Sequence, residues 1–148
     1  MKLWLAALFG LFFVSMALSH EGANGIVLER MKAMSAMEKH MKAIGSQLLG
    51  KEPFNPVDVL RQVEALHKYC HNMGEMFPAG SSSPHSYAKA AVWEQPKAFH
   101  EEMTRLHQAS ERLVAAASGG DKIQTLAAFR QTAATCKSCH ELFRAPGD

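Results

Sequence analysis

Three side chains near the C-terminus carry the most specific chemistry in the chain: Cys136, Cys139 and His140, within Cys136-Lys137-Ser138-Cys139-His140. The spacing is C-x-x-C-H, the attachment signature of c-type haem. On a helix, residues three and four apart share one face, with about 5–6 Å between their Cβ atoms. Two thiols so placed can each form a thioether to a haem vinyl carbon, and the His140 imidazole can offer a nitrogen to the iron. Other uses of paired cysteines fit less well. A redox dithiol is expected beside a βαβ pattern, and a structural zinc takes four protein ligands. This sequence reads without strands and has no second Cys/His pair of comparable spacing. One covalently attached haem c is the expected cofactor.

The other end of the chain carries an address. Lys2 precedes an almost unbroken apolar run from Leu3 to Val14, and Ala17-Leu18-Ser19 offers small residues for a signal peptidase, so residues 1–19 read as a signal peptide cleaved before His20. The run is shorter than the roughly 20 residues of a membrane-spanning helix. Export suits the haem motif, because c-type haem is attached on the outer side of an energy-transducing membrane; in a bacterium that is the periplasm. Residues 20–148 then form one domain. With 16 Lys and Arg against 14 Asp and Glu, charge is nearly balanced, and no basic patch interleaved with aromatics points to nucleic acid. Two of the three cysteines go to haem, which leaves Cys70 without an internal disulfide partner.

The elements that must position the motif read as helices throughout. The first runs from about Ala23 to Leu49, with Val27, Met31, Met34, Met37, Met41, Ile44 and Leu48 as a continuous stripe and Gly50 as its stop. Asn55-Pro56-Val57-Asp58 is a helix start, in which Asn55 caps, Pro56 suits the first turn and Asp58 complements the dipole. That second helix is expected to reach about Glu75, facing inward with Leu60, Val63, Leu66, Cys70 and Met73. Phe77 to Pro84 reads as a loop, with an irregular lead-in through Trp93. The third helix begins near Trp93 to Pro96 and turns Phe99, Met103, Leu106, Ser110, Leu113 and Ala117 inward, ending at Gly119-Gly120. Asp121 caps the fourth, whose expected inner face is Ile123, Leu126, Arg130, Ala133 and Cys136. The fold class is all-α, an antiparallel up-and-down four-helix bundle.

With the motif at the end of a fourth helix, the chain resembles the cytochrome c′ family, including its low-spin cytochrome c-556 branch. The resemblance rests on the terminal run from Cys136 to Arg144, the Gly50-Lys51-Glu52-Pro53-Phe54-Asn55 turn, the Ser-rich Pro84 loop leading to Trp93, and the Arg30 and Met34 pair. It implies an exported haem bundle with Cys136 and Cys139 as thioether cysteines and His140 as proximal iron ligand. It implies Arg30 as the arginine facing the haem propionates, and Arg144 as a basic residue near the proximal histidine. Met34 falls where high-spin members carry an apolar residue and where the c-556 branch carries a thioether as the distal iron ligand. The residues alone leave this open, since Met31, Met37 and Met41 share the stripe and a helical methionine is commonly core filler. Members of the family often dimerise through their early helices, so a homodimer is among the assemblies implied.

Two functions follow as expectations. The first is single-electron transfer to periplasmic redox partner proteins through a His140/Met34-ligated low-spin haem, with no substrate chemistry; a soft thioether ligand favours the reduced iron. The second is a five-coordinate haem that binds nitric oxide or carbon monoxide. An enzymatic reading, as a peroxidase, has no support in the sequence. His67 and His71 flank Cys70 at helical spacing, but Cys70 lies on the inward stripe and reads as an inert buried thiol. His40, His100 and His107 read as surface or boundary residues. A copper-chelating N-terminus at His20 lacks identifiable partner histidines.

Overall fold

The long helices begin where local chemistry satisfies their first amides. The computed structural model describes residues 25–146, so the expected signal peptide, the cleavage before His20 and the start at Ala23 lie outside the described residues. Helix α1 is Gly25–Leu48 and α2 is Pro56–Asn72. The Asn55 side chain accepts from the amides of Val57 and Asp58, with Pro56 in the first turn, as the sequence predicts. A 3₁₀ turn, Met73–Met76, continues α2 in place of the α-helix expected to reach Glu75. A short α3, Ala91–Glu94, precedes α4, Pro96–Ser118. Gly120, at φ 70°, turns the chain into the Asp121 cap, whose carboxylate accepts from Ile123 and Gln124 at the start of α5, Lys122–Phe143.

Side-chain contacts fix the register, and in each pair one residue number rises as the other falls. Gln47 meets Asp58 and His40 meets Gln62 between α1 and α2. His67 meets Ser110 and His71 meets His107 between α2 and α4. Thr132 meets Ala109, and Phe99 meets Phe143, between α4 and α5. Successive long helices are therefore antiparallel, and the fold is the expected four-helix bundle with α3 as an addition. Three seams, α1/α2, α2/α4 and α4/α5, are extensively packed around Ile44, Leu48, Val59, Val63, Leu66, Met73, Leu106 and Leu113. The fourth seam, between α1 and α5, is sparse.

The structure corrects several expected faces. In α2 it is Val59 that is buried, with Leu60 half-buried. On α1 the inward line passes through Arg30 and Ala33, while Met31 is 42% exposed and Met34 and Met41 are half-buried. The α5 face is rotated furthest: Ile123 is 80% exposed and Arg130 is exposed, while Thr125, Ala128 and Thr132 are buried. Both threonine hydroxyls donate to carbonyls one turn back, Thr125 to Asp121 and Thr132 to Ala128, with Thr132 also reaching Ala109. Buried hydroxyls so paired carry no desolvation debt. Their small size lets α5 lie close along Ala109 of α4.

Near its closed end the sparse seam includes a close approach between Gly45 and Phe129. A Cβ on Gly45 of α1 would stand 3.2 Å from the tip of the Phe129 ring of α5. Gly45→Val should force that ring outward and lower the unfolding free energy by about 1–3 kcal/mol despite better helix propensity, as overpacking does. Urea denaturation measures it, and a variant as stable as the parent would remove the pivot role from Gly45.

Candidate haem-binding site

Because α1 and α5 run antiparallel through Gly45 and Phe129, Met34 stands opposite His140, eleven residues from the pivot on each helix. There the helices part to leave a cleft of about 500 Å³, within the range of small-molecule and cofactor sites. Met31, Met34 and Ser35 line it from α1, and Cys139, His140 and Phe143 from α5. Phe77, Val92, Phe99 and Met103 form its apolar floor, with Arg30 and Arg144 among its walls. Phe99 stands edge-on to both Phe77 and Phe143, with ring centroids 4.9 and 5.3 Å apart.

The three motif residues sit together at the end of α5. Cys139 and His140 line the cleft, whereas Cys136, one turn earlier, is half-buried against the main core. Both thiols are free. Burial, followed by the Glu102 carboxylate and Cys136, pushes the Cys139 thiol up to about 12, and burial likewise raises Cys136. These are surroundings for uncharged sulfur, which a thioether is. His140 is exposed at the cleft mouth, and partial desolvation by its surroundings, then the Arg144 guanidinium, hold it below the ordinary imidazole range, which favours the neutral ring. Two neutral sulfurs and a neutral imidazole beside an apolar cleft fit a covalently attached haem. Cys136 and Cys139 would tether it, His140 would ligate the iron, and the iron would supply redox chemistry and an axial coordination position.

The end of α5 is pinned by the chain that leads into α3. The Lys89 amide donates to the Phe143 carbonyl at 2.9 Å and the Ala145 amide to the Tyr87 carbonyl at 2.7 Å, an isolated antiparallel bridge around Ala88 and Arg144. Lys89 Nζ also donates to the Glu141 carbonyl, and the Arg144 guanidinium lies 5.3 Å from the Tyr87 ring centre. Arg144 is thus one turn beyond His140, as the resemblance implies.

Arg30 does more than a propionate contact would require. It is 4% exposed and lies 4.1 Å from the centre of the Phe77 ring. Nε donates to the Met76 carbonyl, one terminal nitrogen to Ser86 Oγ, and the other to the carbonyl and hydroxyl of Ser81. Four of the five guanidinium hydrogens are thereby used on the last residue of the 3₁₀ turn and the loop between it and α3. Trp93 Nε1 and Ser81 Oγ both close on the Pro78 carbonyl. The Ser-rich segment is an ordered cap whose keystone is Arg30, a role the sequence reading did not contain. It also missed Glu102, which is 3% exposed, with one oxygen paired to Arg105 and the other without a hydrogen-bond partner among the described residues.

A covalent haem bundle is the class that this fold and site define. The family model described as Cytochrome C' matches residues 25–144, and the chain belongs to the cytochrome c′ family. It is 32% identical over 116 residues to cytochrome c′ of Pararhodospirillum photometricum, covering 78% of this chain and 92% of that one. Among solved structures, cytochrome c′ of Rubrivivax gelatinosus superposes with a TM-score of 0.77 at 26% identity, covering 80% of this chain and 94% of that one. A nitric oxide complex of a cytochrome c prime variant from Alcaligenes xylosoxidans superposes with a TM-score of 0.78 at 25% identity, covering 82% and 94%. The family carries one covalently attached c-type haem.

Two measurements check these roles. Denatured parent protein should retain its haem and a Cys136→Ala/Cys139→Ala double variant should release it, as seen by mass and by absorbance after acid extraction. Arg30→Lys keeps the charge but not the fork, and should lower stability by about 1–3 kcal/mol through lost charge-assisted hydrogen bonds. Limited proteolysis should then cut first between residues 77 and 86; an unchanged cleavage pattern would contradict the keystone role.

Proposed function

We propose that this chain is an exported, periplasmic c-type haem protein that takes a diatomic gas, nitric oxide or carbon monoxide, on the haem face opposite His140. The observation that carries this reading is the packing of Met34: it lines the cleft and is also packed against the buried core formed by α1 and its neighbours. A Met34 side chain packed against the core would shield the distal face as an apolar residue does. The gas complex among the structural relatives points the same way. His140 would hold the proximal side, Cys136 and Cys139 would prevent loss of the haem, and Phe77, Phe99 and Met103 would keep bulk water from the cleft. Arg30 has one guanidinium hydrogen left for a propionate oxygen, and Arg144 offers a second positive charge at the cleft wall.

A second reading, electron transfer by a His140/Met34-ligated low-spin haem, draws on a different observation, the antiparallel register that sets Met34 across from His140. The sequence alone favoured this reading; the relatives favour gas binding. No helix among the described residues is long and apolar enough to cross a membrane, which accords with either role once the leader is removed.

Optical and magnetic spectra of the purified ferric and ferrous holoprotein separate the two. For gas binding, the parent should be high-spin, the ferrous form should bind carbon monoxide stoichiometrically, and Met34→Leu should leave the unliganded spectrum essentially unchanged. A low-spin ferric signal with a sulfur-to-iron charge-transfer band, lost in Met34→Leu, together with refusal of carbon monoxide, would overturn it in favour of electron transfer.

A further inference from the structure

His67 and His71 of α2 converge with His107 of α4 on the seam between these helices, and none of the three lines the haem cleft. Their ring centroids are 5.5 Å apart for His67 and His107, 4.9 Å for His71 and His107, and 6.3 Å for His67 and His71. His71 Nδ1 and His107 Nδ1 face one another at 3.4 Å. Two imidazole nitrogens bound to one tetrahedral zinc, each at about 2.0–2.1 Å, stand about 3.3–3.4 Å apart. The pair already has the separation of two ligands on one ion.

The hydrogen bonds around the rings set their tautomers. Glu111 Oε1 lies 3.3 Å from His107 Nε2, so the negative charge favours the tautomer with its proton on Nε2 and its lone pair on Nδ1, towards His71. That is the carboxylate–histidine pairing which orients metal-ligating imidazoles. Ser110 Oγ donates to the His107 carbonyl at 2.7 Å, so towards His67 Nδ1, at 2.9 Å, it accepts. His67 therefore carries its proton on Nδ1 and its lone pair on Nε2. His71 is exposed, so an ion can reach the pair from solvent. Among the described residues no three ligating side chains already surround one point; the core of the site is bidentate, with His67 on the neighbouring turn and water to complete the shell.

We infer that His71 and His107 form a binding site for a divalent late transition metal, zinc or copper, oriented by Glu111 and assisted by His67, which staples α2 to α4 away from the haem. Imidazole is a preferred ligand of both ions. Neither haem chemistry nor attachment uses these residues.

Isothermal titration of the full-length holoprotein with zinc ion, and separately with copper(II), tests this. One equivalent should bind and raise the thermal midpoint. His71→Ala/His107→Ala should abolish both effects, and Glu111→Ala should weaken binding by about 10-fold, as loss of an outer partner does. His67→Ala should weaken binding without abolishing it. The haem spectrum of each variant, unchanged from the parent, shows that the bundle is intact. The site is refuted if the parent takes up no ion at millimolar zinc or copper, or if the double variant binds as tightly as the parent, which would move binding elsewhere.

Discussion

The seam between α1 and α5 is the constraint on which the rest of the molecule depends. A four-helix bundle normally closes four seams, and here three are packed while the fourth is pinched at Gly45 and Phe129 and then opens towards Met34 and His140. An open seam leaves apolar surface facing a cleft, including Phe77, Phe99, Met103 and Phe143. In an ordinary core that surface would be covered by side chains from the opposite helix. A covalently held macrocycle would cover it instead, which would make the haem a structural member of the bundle as well as its chemistry. The small residues that bring α4 and α5 together complement this, because they hold the helix that carries Cys136, Cys139 and His140 to α4 where α1 stands apart.

Arg30 connects the cleft to the loop that caps it. Buried guanidinium groups are costly unless nearly all their donors are satisfied, and Arg30 meets that condition with loop carbonyls and serine hydroxyls. Its burial lowers its pKa, but from so high a starting value that the group stays charged. The consequence is mechanical: the loop from Met76 to Ser86 cannot move without α1, and α1 carries Met34. At the other edge, Tyr87 to Lys89 bond to the end of α5, which carries His140. One stretch of irregular chain thus ties together the helices that carry Met34 and His140.

What could be read from the sequence follows from how local its cause is. The Asn55 and Asp121 caps, Pro56 and Pro96 in first turns, and the Gly120 reversal are set by neighbours within a few residues, and all stand where the sequence puts them. Cys136, Cys139 and His140 were legible because their spacing is their chemistry. The face of α5 was not, because threonines that bond to their own helix lose the polarity that marks a residue as exposed, and the line of contact is chosen by α4. Ile123, in the first turn of α5, is apolar but lies outside that line. Arg30 was visible as a cation on α1, yet its partners Met76, Ser81 and Ser86 are 46 to 56 residues away and follow no local pattern. The same holds for the approach of His107 to His67 and His71, which only the α2/α4 register creates.

The two readings of the haem share a proximal side and differ in a distance that Met34 alone does not set. Whether its sulfur lies against the core or reaches towards the axis through His140 depends on how far α1 stands from α5. That separation is fixed at one end by Gly45 against Phe129 and at the other by Arg30 and the loop it holds. A narrower seam would favour thioether ligation and a closed site; a wider one leaves room for a gas molecule beneath a packed methionine. Coordination at a bound haem would accordingly depend on the seam as well as on Met34, with Gly45 and Arg30 bearing on it through the elements they position.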